Sequence, residues 1–193
     1  MSPRLSPLPD GFGAAVSSLH RIAEDVVALA RKPDNEIALE PTPGGFGTPE
    51  FEWEGATHQV RVEGAELVRE VDGRQQRTPL EVDPVAAAAL ADWYAFGAAA
   101  LERLAADAGP DEGASAPILW PEHFDIGISA GEVNYGVSAG DGYLEVPYAY
   151  VGPWSPPAQD DYWNAPFGRA VPVDEIGDLV AFFTDGRQRL NGS

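Results

Sequence analysis

A chain of 193 residues, 44% of them hydrophobic and spread along its length, can bury a core of its own, which excludes a disordered polymer. Its formal net charge of −19 repels phosphate backbones and anionic headgroups, so nucleic-acid and membrane-surface roles are disfavoured. The absence of cysteine removes disulfides, thiolate nucleophiles and thiolate metal sites together, and it fits a reducing cytoplasm.

The expectation is one domain over 1–193, with an N-terminal part at 10–107 and a C-terminal part at 117–190. The start "MSPRLSPLPDGFG" lacks a charged n-region and a continuous apolar h-region, and no apolar run approaches the roughly 18–20 residues of a bilayer span. The expected location is therefore cytoplasmic. Residues 12–30 place Phe12, Val16, Leu19, Ala23, Val26 and Ala30 at three- and four-residue spacing, an amphipathic helix that "RKPDN" ends, with Asp10 or Ser6 as caps. His20 lies beside that stripe and reads as a half-buried structural histidine.

Between 36 and 80 the period changes to two, and "EG" and "DG" punctuate "THQVRV" and "ELVREV", which predicts an antiparallel meander. Asp72-Gly73 forms its clearest turn, with Val71 opposite Arg74, and His58 borders the core beside Val60 and Val62. The glycines of "PTPGGFGTP" at 41–49 lack the spacing of a phosphate loop, so this stretch is expected to be an irregular loop, and no cofactor is implied. Asp83-Pro84 opens a long helix to about Ala106, with Leu90, Trp93, Tyr94, Gly97, Leu101 and Leu104 on one face. "DAGPDEGASAP" follows as a flexible connector, then a second sheet and a last helix near 173–188. The expected class is α+β: antiparallel meanders packed by N-terminal, central and C-terminal helices.

The stretch "FDIGISAGEVNYGVSAGDG" spells Gly-x-Ser-x-Gly twice, the pattern of a hydrolase nucleophile elbow. An elbow needs a strand, a sharp turn and a helix, yet strand alternation follows Ser129, and His20, His58 and His123 all precede both serines. Neither Ser129 nor Ser138 is read as a nucleophile. A hairpin over about 123–138 accounts for the repeat better. With Ala130-Gly131 at its turn, Ile128 pairs with Val133, Ile126 with Tyr135 and Phe124 with Val137, all apolar.

The opposite face carries His123, Asp125, Gly127 and Ser129 against Ser138, Gly136, Asn134 and Glu132. It is either a solvated sheet face or a cavity floor, where His123, Asp125 and Asn134 hold a polar ligand or a hard divalent ion. The aromatics around it, Trp120, Tyr143, Tyr148, Tyr150, Trp154, Tyr162, Trp163 and Phe167, serve packing by default. From Asp111 to Gly168 there are nine acids and no Lys or Arg, so aromatic planes beside carboxylates suit a neutral or cationic organic ligand, sugar- or amine-like, over a nucleotide. The candidate ligand-binding residues are His123, Asp125, Asn134, Glu132, Trp120, Tyr148 and Trp154.

"LWPEHFDIGIS", "VNYGVSAGD", "PYAYVGPW" and "YWNAPFGRAV" together resemble an uncharacterised family of bacterial, chiefly actinobacterial, proteins over roughly residues 117–171. The resemblance implies a bacterial cytoplasmic protein and transfers no catalytic residue. Three functions follow from the residues: a small-molecule-binding domain; a metal-assisted hydrolase or lyase with His123 and Asp125 on the ion and Glu122 or Glu132 as base; or an acidic domain that docks on a basic protein. Catalytic residues, metal ligands and oligomeric state are left unassigned.

Overall fold

The computed structural model describes residues 7–34 and 36–192. The apolar stripe of the first helix buries Phe12, Ala15, Val16 and Leu19 along one side of α1 (Phe12–Ile22). Its start is closed by backbone alone: Gly11 takes a left-handed φ of 76° and no side chain caps the helix. Asp10 therefore lacks the capping role expected of it, and Ser6 lies outside the described residues. Beyond Ile22 the chain widens to a π turn over Ala23–Val27 and tightens to a 3-10 segment over Ala28–Asp34.

Period-two alternation then produces a six-stranded antiparallel sheet of β1 (Glu40–Thr42), β2 (Gly45–Gly47), β3 (Phe51–Trp53), β4 (Ala56–Glu63), β5 (Glu66–Val71) and β6 (Arg74–Pro79). The order is β1-β2-β4-β5-β6, and β3 follows β2 along the same side of β4. The stretch 41–49 is thus no irregular loop. Glycine has poor strand propensity, which hid the hairpin, but here it permits the pairing: a Cβ on Gly45 would fall 2.2 Å from the Val62 carbonyl oxygen. The Asp72-Gly73 turn sets Val71 against Arg74 as expected, and half-buried His58 stacks on Phe51.

Asp83 accepts from the amides of Val85 and Ala86 at 3.0 and 2.9 Å and starts α2 (Pro84–Ala106). Contrary to the sequence expectation, this helix is long and apolar enough by composition to cross a bilayer. Eleven of its 23 residues are buried, because it packs against α1 and against both sheets. Gly97 permits the closest approach: a Cβ there would lie 2.3 Å from a methyl of Val137.

The second sheet is also antiparallel and runs β11-β10-β9-β8-β7, from β7 (Ile118–Trp120), β8 (Asp125–Ala130), β9 (Val133–Ser138), β10 (Tyr148–Pro153) and β11 (Arg169–Pro172). Its inner face buries Ile126, Ile128, Tyr135, Val137, Ala149 and Val151 in the main core. Leu39 and Leu119 exchange backbone hydrogen bonds of 2.9 and 2.8 Å and link the two sheets. The segment before β7 is ordered rather than a flexible connector: the Glu112 carbonyl accepts from Gly131, and the Ser115 amide donates to the Ser129 carbonyl. The last helix, α3 (Leu179–Asn191), starts later than expected, since a 3-10 turn at Val173–Glu175 precedes the Asp178 cap. Phe183 on α3 is core. With three α-helices and two antiparallel sheets among the described residues, the protein is α+β.

Candidate functional site

The β8–β9 hairpin turns at Gly131-Glu132, both at positive φ (57° and 62°), and not at Ala130-Gly131. The actual pairs are Ala130 with Val133, Ile128 with Tyr135, Ile126 with Val137, and Asp125 with Ser138. This register is two residues away from the expected one. A two-residue shift preserves side-chain parity, so the expected inner and outer faces are correct while the individual pairs are not. Two consequences follow. Phe124 leaves the strand, and Glu132 moves to the turn, away from the outer face, into a separate small cavity with Glu112 and Arg187.

The two Gly-x-Ser-x-Gly copies punctuate strands, as the sequence suggested. Ser129 lies inside β8, and Ser138, 2% exposed, ends β9 with its hydroxyl oxygen accepting from the Gly140 amide. Strand-turn-strand geometry leaves neither hydroxyl raised on an elbow.

On the outer face Gly127 pairs with Gly136, and Gly136 pairs with Tyr150 of β10. The expected gaps beside these glycines are filled. The Tyr150 ring lies over Gly136, where a Cβ would come within 2.4 Å of it, and its hydroxyl reaches past Gly127 to donate to Asp125 Oδ2 at 2.5 Å. Asp125 Oδ1 is covered from solvent and meets no hydrogen-bond donor from another residue. Next to this pair, the Tyr148 hydroxyl donates to Asp141 Oδ2 at 2.7 Å. Asn134 Oδ1 accepts from the Ser129 hydroxyl at 2.8 Å and from the Trp154 indole N–H at 3.2 Å.

His123 does not stand on β8 as expected; it sits in the turn between β7 and β8. The turn is held from below at several points. His20 Nε2 lies 2.8 Å from the Pro121 carbonyl, and the Tyr94 hydroxyl donates to the Phe124 carbonyl at 2.6 Å. Phe124 has φ 50°, an uncommon conformation for an aromatic residue, and its ring is stacked on His20 and met edge-on by Phe46 and Tyr94. A costly backbone angle held by three rings, one residue before Asp125, is the kind of strain that marks functional turns.

Two adjoining open cavities of about 520 and 350 Å³ lie on this face, and His123, Asp125, Asn134 and Tyr150 border both. Trp120 and Glu122 line the larger one; Tyr148 and Trp154 line the smaller. Six of the seven predicted ligand residues therefore meet at one cleft, and Glu132 does not. Trp120 and Trp154 are 42% and 63% exposed, large apolar planes left to solvent at the cleft walls. Sequence reasoning missed Tyr150 as the partner of Asp125, and Asp141 altogether. Tyr150 was legible as sharing parity with Tyr148, but only the β9–β10 register shows which residue its hydroxyl meets.

Burial raises the Asp125 carboxyl above the ordinary carboxylate range, and the Tyr150 bond, the nearby His123 and its own backbone amide offset only part of that. Burial also carries the Tyr150 hydroxyl well above the usual phenol value, with the Asp125 charge adding to it. Tyr148 rises through burial and its bond to Asp141. Both tyrosines thus stay protonated donors at neutral pH. Among the described residues, no group of three His, Asp or Glu side chains converges as metal ligands would. No protein-family model, no curated protein and no solved structure matches this chain.

Proposed function

We propose that the protein binds a small polar organic molecule in the cleft across the outer face of the five-stranded sheet. The observation that carries this reading is Asp125: a desolvated carboxylate with one unpaired oxygen, held in place by a strained turn at the centre of the cleft. A buried polar atom without a partner costs about 1–3 kcal/mol, and such a cost is retained where a bound group compensates it. Cleft size and the aromatic walls suit a metabolite-sized ligand. The metal-assisted alternative has His123 and Asp125 near one another but no third ligand among the described residues, and Glu132, one of its two candidate bases, faces a different cavity.

The test is a small-molecule screen read by the indole N–H resonances of the five tryptophans. Hits are expected to move Trp120 or Trp154 and to raise the Tm by mass action. Asp125→Asn should then weaken a hit by about 1.5–3 kcal/mol, the value of one hydrogen bond to a charged group. Hits that move only tryptophans outside the cleft, with affinity unchanged in Asp125→Asn, would overturn the reading.

A further inference from the structure

The smaller cavity has a chemistry that names the charge of its ligand. It is walled by Tyr148, Tyr150, Trp154 and Phe167, with Asp125 and Asp141 between them. The rings are inclined to one another instead of stacked: Tyr148 and Tyr150 at 53°, Tyr150 and Phe167 at 85°.

The aromatic donors of this wall are already used. The Tyr150 hydroxyl is spent on Asp125, the Tyr148 hydroxyl on Asp141, and the Trp154 indole N–H on Asn134. No Lys or Arg lines the cavity among the described residues. What remains for a ligand is mainly acceptor oxygens, negative charge and aromatic π density, with the His123 ring and the Asn134 side-chain N–H groups as the remaining donors. A phosphate, a carboxylate or a carbonyl would find carboxylates and no free tyrosine donor. A sugar would meet rings to stack on but few donors for its own oxygens. A positive charge is attracted to the two carboxylates by Coulomb interaction and to the aromatic faces by the ring quadrupoles.

We propose that the cleft recognises an organic cation, a substituted ammonium seated in the cavity of Tyr148, Tyr150, Trp154 and Phe167 against Asp125 and Asp141. This rests on the binding reading above and narrows it to one charge class. The rings supply contact area and the cation–π attraction, and the carboxylates compensate the charge where water is partly excluded. The net charge of −19 adds long-range attraction for the same class of ligand.

The experiment titrates the intact protein with choline, tetramethylammonium and n-butylammonium, and in parallel with 3,3-dimethylbutan-1-ol, the uncharged isostere of choline, and with glucose. The readout is the Trp154 indole resonance in the native protein and in Asp141→Asn, and isothermal titration calorimetry for the native protein and the Trp154 variants. At least one cation is expected to bind about tenfold more tightly than the isostere. Asp141→Asn and Trp154→Ala should each lower its affinity several-fold, while Trp154→Phe, which keeps a ring, should retain most of it. Trp154 is exposed, so these last two variants test binding without disturbing the core. If the isostere or glucose moves Trp154 as readily as the cations, the cation inference fails and the binding reading stands. If none of the cations moves Trp154 up to millimolar concentration, the inference fails outright, and the wider screen alone then decides the binding reading.

Discussion

Asp125 concentrates the energetic conflict of the molecule. Its carboxylate is desolvated, Tyr150 satisfies one oxygen, and the other has no partner. Because its folded pKa lies above the unfolded value, the stability contributed by protonation is present at low pH and lost as pH rises through the folded value. Asparagine is neutral at every pH and still accepts from Tyr150. Asp125→Asn should therefore raise the Tm at pH 7, with the gain shrinking as pH falls into the range where the native carboxyl protonates; thermal melts across that range measure it. A Tm loss at pH 7 would mean that the charge itself holds the fold. Gly136 makes the complementary point. A methyl there would collide with the packed Tyr150 ring, so Gly136→Ala should cost about 1–3 kcal/mol and weaken binding in the cleft together, as urea melts and a titration would show.

At the scale of elements, the cleft exists because α1, α2 and the β7–β8 turn are fastened together. His20 and Tyr94 reach from two helices to the backbone of one four-residue turn, and the Trp93 indole donates to the Ser138 carbonyl at the end of β9. The hairpin turn is less well suited to its residues. Glu132 occupies a left-handed position at φ 62°, which costs a non-glycine residue about 1–2 kcal/mol, so Glu132→Gly should stabilise the protein by up to about 1 kcal/mol after the glycine's own entropy cost. It should leave cleft binding unchanged, since Glu132 faces another cavity. Between α2 and β9 the contact is tighter than any side chain allows. Gly97→Ala should destabilise by about 1–3 kcal/mol, because the nearest atom is a methyl of fully buried Val137 that has no room to retreat.

For the whole molecule the charge of −19 sets the response to salt. Like charges on a compact surface repel, and the Debye length falls from about 30 Å at 0.01 M to about 8 Å at 0.15 M. The Tm should therefore rise with sodium chloride over that range, and a scanning calorimeter can follow it. A fall would point to the ion pairs of the six-stranded sheet, such as Arg77 with Glu63 and Glu66, outweighing the general repulsion. Those pairs are half-exposed and contribute little individually.

What the amino-acid order determined by itself is local. Three- and four-residue apolar spacing specified α1 and the buried face of α2, Asp83-Pro84 specified where α2 begins, and Asp72-Gly73 specified the β5–β6 turn. Strand parity placed Asp125 and Asn134 on the outer face even though the pairing was two residues off, because parity survives a shift of two. Tertiary structure decided the rest. Ala130-Gly131 and Gly131-Glu132 are both two-residue turns with the same parity, and the Glu112 carbonyl that accepts from the Gly131 amide belongs to a different segment. The β1–β2 hairpin depended on how closely glycine lets two backbones approach, which residue type alone does not report. Above all, Tyr150 reaches Asp125 across two intervening glycines on β9 and β8, a contact spanning three strands. Only the order and register of the sheet bring those groups together, so the acceptor-rich character of the cleft is a property of the fold.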